Sequence, residues 1–177
     1  MLTRTDWINQ APIYKREAAA FLLLLRGMKT TLEDQGQTFE NSSSIKLLTI
    51  MIGNVEEPDG SPDYFAYMID GQAVALMILS LGMKKEITDL VSLPGHGRQM
   101  CEFGMNLCNG RAELAAFDAA ATGFWTAMGA VMTDKDSLNK AQGGGIMTLE
   151  CKYNSKWLSI NDIWRLRKYI TAQDLMA

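Results

Sequence analysis

The run Leu90-Val91-Ser92-Leu93-Pro94-Gly95-His96-Gly97-Arg98-Gln99-Met100 constrains the fold more than any other stretch of the chain. An apolar, strand-like segment stops at Pro-Gly and a helical pattern begins at once, with Met100, Phe103, Gly104, Leu107 and Cys108 recurring at three- and four-residue steps. Arg98, Glu102 and Asn106 mark the wet face of that helix, and Asn109-Gly110 ends it. Ala112 to Phe117 then reads as another strand. Strand, helix and strand in this order imply a parallel pair joined by a crossover helix. Upstream, Tyr64 to Ile69, the Asp70-Gly71 turn and Gln72 to Leu81 read as a hairpin, and Gly82 to Lys85 turns the chain into Glu86 to Leu93. Antiparallel strands leading into a parallel pair predict a mixed central sheet flanked by helices, an α+β or mixed α/β fold.

The remaining segments are read in the same way. Pro12 opens a long amphipathic helix that runs to Gln35, with Phe21, Leu22, Leu25, Met28 and Leu32 on one face. Gln37 to Ser44 is a polar linker, and Ile45 to Gly53, rich in Leu, Ile and Thr, is predicted to be a strand. The acidic stretch Glu56 to Asp63 reads as a surface loop or a mobile lid, and its charge points to a cationic acceptor such as a polyamine, an aminoglycoside or a lysine side chain. Asp118 caps a short helix, Ala119 to Met128, which Gly129 closes. Ile146 to Tyr153 is a strand after Gly143-Gly144-Gly145. Ser159 caps a final helix whose Ile160, Ile163, Trp164, Arg167 and Ile170 share a face, made basic by Arg165, Arg167 and Lys168 and suited to a homodimer contact.

Composition narrows the function. A chain of 177 residues, 47% apolar and 21% charged, fits one domain over 1–177. A net charge of −3 argues against nucleic acid as a partner. Cys101, Cys108 and Cys151 form no Cys-x-x-Cys pair, and His96 is the only histidine, so neither a metal site nor a disulfide framework is expected. That usage fits a reducing, cytoplasmic setting. The longest apolar run, Ala18 to Leu25, is eight residues, against ~20 for a membrane span. Asp6, Arg16 and Glu17 interrupt the N-terminus before any signal-peptide pattern, so no membrane partner is expected.

Gly95 and Gly97 leave backbone N–H groups uncovered where the next helix presents its unpaired donors and the positive end of its dipole, a setting for a phosphate or pyrophosphate. From Asp89 to Val131 the chain resembles the GNAT superfamily of acyl-CoA-dependent N-acetyltransferases. The family's pyrophosphate loop corresponds to Pro94-Gly95-His96-Gly97-Arg98-Gln99-Met100. Its later strand, small-residue helix start and aromatic pair correspond to Leu114 through Phe124-Trp125 and on to Gly129. The resemblance covers roughly Ile45 to Tyr153, leaving the first and last helices as N- and C-terminal additions.

What the resemblance implies is direct transfer of an acetyl group from acetyl-CoA to a primary amine of a small molecule, peptide or protein. Backbone N–H groups around Val91, Ser92 and Leu93 would meet the thioester carbonyl. Gly95, His96, Gly97, Arg98, Gln99 and Met100 would hold the phosphates, with Phe124 and Trp125 beside the coenzyme arm. Glu86 and Asp89 are the candidate bases; three apart on a regular strand, they would point to opposite faces, so that one of them serves. The chain departs from the family pattern at Gln99, a glycine position. It also departs at Trp125, which stands where many members place a proton-donating tyrosine. Those departures favour the alternative, a catalytically impaired GNAT-like module that binds acyl-CoA or a protein partner.

Overall fold

The computed structural model describes residues 12–134 and 143–150. Seven strands form one sheet: β1 (Ile13–Arg16), β2 (Asp63–Ile69), β3 (Gln72–Leu81), β4 (Lys85–Ser92), β5 (Arg111–Ala116), β6 (Val131–Asp134) and β7 (Gly145–Glu150). Their spatial order is β1-β2-β3-β4-β5-β7-β6. β4 and β5 run parallel and every other neighbouring pair is antiparallel. Among the described residues four helices flank it: α1 (Ala18–Asp34), α2 (Ser43–Glu56), α3 (Gly97–Leu107) and α4 (Ala119–Ala127). This mixed sheet with helices on both faces is an α+β fold.

β3 is apolar from Ala73 to Leu79 because both of its faces are covered there. Leu76 and Ile78 pack with Phe21, Leu25 and Met28 of α1 and Ile45, Leu48 and Met51 of α2. Ala75, Met77 and Leu79 point the other way, onto Met100, Phe103 and Leu107 of α3. The β2–β3 turn is tight because Asp70 and Gly71 both take left-handed conformations, at φ 51° and 77°. Asn109 and Gly110, at 58° and 87°, end α3 in the same region of backbone space.

Three expectations change. Ile45–Gly53 belongs to a helix: the Ser42 hydroxyl accepts from Ile45 N at 3.2 Å, and Ile45, Leu48, Met51 and Val55 then fall on one buried face. The first helix starts at Ala18 rather than Pro12, because Ile13–Arg16 pairs with Tyr64–Tyr67 as the edge strand β1. Pro12, which lacks an N–H, accepts there from Met68 N at 2.8 Å. α1 is therefore an insertion between β1 and β2, not an addition in front of the sheet. Asn106 is buried, not wet, and its amide donates to the Glu102 carbonyl at 2.8 Å. The strand end at Cys151–Tyr153, and the final helix with its basic residues, lie outside the described residues.

Candidate active site

The Lys85–Ser92 strand carries an irregularity that re-aims its carboxylates. Ile78 pairs with Asp89 and Leu79 with Ile87, so Thr88 is an extra residue, a β-bulge. On either side of it the alternation changes phase. Ser80 and Ile78 share a face of β3, and their partners Glu86 and Asp89 therefore share that same face, the one covered by α1 and α2. The expectation that these two carboxylates point to opposite faces fails for that reason. Asp89 is partly buried and accepts from Asn54 Nδ2 of α2 at 2.9 Å. Burial pushes its pKa up to about 6 against the pull of the Asn54 hydrogen bond, with the Glu86 charge adding to the rise. Glu86 lies within electrostatic reach of Lys84 as well.

β4 and β5 pair only at Glu86–Glu113 and Ile87–Leu114; beyond that point they diverge. A cavity of about 200 Å³ opens there, walled by Asp89, Ser92 and the β4 backbone between them, by Ala115 and Phe117, and by Phe124 and Trp125 of α4, with Ser43 and Ser44 of α2 at its edge. Leu93 N donates to Val74 O at 2.8 Å. The Leu93 N–H is therefore committed to the β3 ladder and is unavailable to a ligand. Antiparallel hydrogen-bonded pairs alternate, so Val91 also faces β3, and the N–H groups of Leu90 and Ser92 turn toward the gap.

Two helix N-termini meet at this cleft. Asp118 accepts from Ala121 N at 2.9 Å as the cap of α4, and its other oxygen accepts from the Ser43 hydroxyl at 2.5 Å. The carboxylate ties the start of α2 to the start of α4 across the opening. Asp118→Ala removes both bonds and is expected to cost about 1–2 kcal/mol. A lower denaturation midpoint at unchanged slope is the result that checks it.

The glycine loop has a local logic of its own. His96 N donates to Leu93 O at 3.3 Å and Gly95 takes φ 89°, so Leu93-Pro94-Gly95-His96 is a type II turn with proline and glycine in their usual places. Gly97 opens α3 with no room for a side chain: a Cβ there would lie 2.8 Å from Ser92 Oγ and 2.9 Å from Phe124 Cε2. Arg98 is exposed at the first turn, whereas Met100 is wholly buried in the core. His96 stacks edge-on against Tyr67 at 5.6 Å, and its Nδ1 is buried without a hydrogen-bond partner. The Gln99 amide nitrogen donates to the Gly95 and His96 carbonyls at 3.2 and 3.3 Å, folding that side chain back onto the turn. Of the residues expected at a site, Asp89, Val91, Ser92, Phe124 and Trp125 come together around the cleft, with Gly97 directly behind Ser92 and Phe124. Glu86, Leu93, Gly95, His96, Arg98, Gln99 and Met100 stand off its wall.

No protein-family description and no curated protein matches the chain. Solved structures do. A variant of the spermidine N-acetyltransferase SpeG from Vibrio cholerae superposes with a TM-score of 0.46 at 13% identity, over 78% of this chain and 94% of that one. The N-acetyltransferase PseH of Campylobacter jejuni gives 0.45 at 13%, over 78% and 98%. An acyl-CoA N-acyltransferase from Pseudomonas aeruginosa gives 0.45 at 16%, over 77% and 98%.

Among the described residues no group of three or more His, Cys, Asp or Glu is placed to hold a metal, and no helix is long and apolar enough to cross a membrane. Burial pushes the Cys108 thiol up to about 12, which leaves it protonated and unreactive at neutral pH. A second cavity, of about 450 Å³, lies at the other end of β4 and β5 beside Lys84, Lys85 and Arg111. Its cations are already engaged: Lys84 with Glu113 at 2.7 Å, Lys85 with the Leu81 and Gly82 carbonyls, and Arg111 with Glu150 at 3.5 Å. Thr88, Asn54 and Ser43 were missed in the sequence. A bulge and two contacts between distant elements leave no local signature.

Proposed function

We propose that the chain is an acyl-CoA-dependent N-acyltransferase that moves an acetyl group from acetyl-CoA to a primary amine, with Asp89 as the base. The observation that carries this reading is the conjunction made by the bulge: a partly buried carboxylate set beside a cleft into which the Leu90 and Ser92 N–H groups turn. The residues fit an acyl-CoA substrate in a divided way. A cavity of about 200 Å³ accommodates the acyl–thioester end. The larger nucleotide end has the exposed first turn of α3, with its unpaired N–H groups and Arg98.

Each residue then has a defined task. Asp89 takes the proton that the attacking amine loses as its nitrogen bonds to the acyl carbon. The Leu90 and Ser92 N–H groups donate to the carbonyl oxygen as charge develops on it while the carbon–sulfur bond breaks. Trp125 can donate a hydrogen bond to the departing sulfur but keeps its indole proton at neutral pH. An alkyl thiol with a pKa of roughly 8.5 leaves tolerably as the anion, so a missing acid slows the reaction without stopping it. The acidic Glu56–Asp63 loop is compatible with a cationic acceptor, although Glu56 pairs with Arg26 and Asp63 with Lys15.

Incubation with acetyl-CoA is expected to raise the melting temperature, by the equivalent of ~2.7 kcal/mol at 100 times the dissociation constant, and a primary-amine panel is expected to release thiol. Because the base must be ionised, the rate should rise with pH through about 6. Stabilisation without thiol release from any amine would instead establish a binding module. The position of the Phe124 ring, over Gly97 and between the cleft and the start of α3, is the observation that favours that second reading.

A further inference from the structure

We infer that Asn54 is a positioning residue for Asp89: its amide, reaching from α2, holds one carboxylate oxygen and so fixes the orientation in which the other is offered to the cleft. The inference rests on the proposed transfer reaction for its purpose but on separate geometry for its content. The Thr88 bulge turns both Glu86 and Asp89 toward the helix-covered face, and of the two Asp89 lines the cleft. α2 adds a second distinction. Asn54 Nδ2 donates to Asp89 Oδ2 at 2.9 Å, while no hydrogen bond of this kind reaches Glu86 among the described residues. Asp89 Oδ1 is left without a protein partner there, the arrangement a proton acceptor needs.

The choice of residue has a physical reason. Asparagine is neutral, so it orients the carboxylate without neutralising it, and the hydrogen bond it donates favours the ionised over the protonated form. A lysine at this position would form an ion pair and hold the carboxylate well below its useful range. Of the charged groups on the surrounding elements, Glu86 is the one that bears on Asp89, and it opposes ionisation. β3 presents Ile78 and Ser80 opposite the two carboxylates, and β5 presents Glu113 opposite Glu86. Asn54 is thus the group that counteracts burial and Glu86 together.

The test is the titration of the Asp89 carboxyl carbon by NMR in full-length protein, compared among wild type, Asn54→Leu and Asn54→Gln. Asn54 is exposed on α2, so these changes leave the core untouched. In Asn54→Leu the Asp89 acid is expected to weaken about three- to tenfold, a discount from a fully buried charge-assisted bond because solvent reaches the site. Asn54→Gln is expected to restore part of the difference, and the acid limb of the thiol-release profile should move upward with the carboxyl midpoint. An unchanged Asp89 midpoint in Asn54→Leu overturns the inference. A midpoint that moves in a protein that releases no thiol leaves the positioning contact standing and removes the transfer reaction instead.

Discussion

Asp89→Asn is expected to melt higher than the wild type at pH 8 and to have lost nearly all transfer activity. The two effects share one cause. In the folded protein burial raises the Asp89 pKa from 3.8 to about 6. Between those values the folded state keeps a proton that the unfolded chain has released, so the stability contributed by the protonated form is complete below pH 3.8 and is lost as pH rises through 6. Above that point the fold carries an ionised carboxylate in a partly buried site, a cost of about 3 kcal/mol for roughly two pKa units. Asparagine has the same shape and never ionises, so most of that cost disappears: about 2 kcal/mol, or ~4–8 °C in a chain of this size. With no base, transfer should fall by about 10²- to 10⁴-fold. Melts of both proteins at pH 4 and pH 8 decide the matter. The gain should appear at pH 8 and shrink toward zero at pH 4; an equal gain at both would mean that packing, not ionisation, separates the variants.

The strands around Asp89 were legible in the sequence, whereas the direction of its side chain was not. Asp70-Gly71 marks a hairpin because only residues tolerant of positive φ close so short a turn, and both residues take that conformation. The α3 crossover follows from Met100, Phe103, Gly104 and Leu107, whose period has one solution. Ile45–Val55 is different. Its Ile, Leu and Thr content favours a strand, while Ile45, Leu48, Met51 and Val55 satisfy a helix, and the Ser42 cap together with the apolar face of β3 decides between them. Ile13–Arg16 becomes a strand only because β2 offers an open edge, which no local pattern records. The Thr88 bulge belongs to the same class. Strand periodicity separates Glu86 from Asp89 by face, and the register with β3 reunites them. What sequence reading loses at the candidate site is therefore the part fixed by pairing between distant segments: the bulge, the Asn54 contact and the Ser43–Asp118 tie.

Gly97→Val is expected to destabilise the fold by about 2–3 kcal/mol, or ~4–12 °C, and to abolish stabilisation by acetyl-CoA. Glycine at this position has two distinct explanations, close approach of a phosphate and close approach of a ring, and the packing makes the second concrete. A Cβ on Gly97 would sit 2.8 Å from Ser92 Oγ and 2.9 and 3.2 Å from Phe124 Cε2 and Cζ, so the ring must move before any side chain fits. The displaced ring has the cleft on one side and Trp125, at 5.0 Å between centroids, on the other. Either route disturbs the wall on which the acyl end would lie. Combining Gly97→Val with Phe124→Leu separates the explanations, since leucine vacates the volume of the ring edge while the first-turn N–H groups of α3 are left in place. The double variant is expected to regain most of the lost stability, with a coupling of about 1–2 kcal/mol, as residues in direct contact do. Recovery of the acetyl-CoA shift along with stability would make Gly97 a packing glycine that keeps the cleft open. Recovery of stability alone would assign it to the phosphates. Equal losses in the single and double variants would remove the Phe124 contact as the reason for glycine at this position.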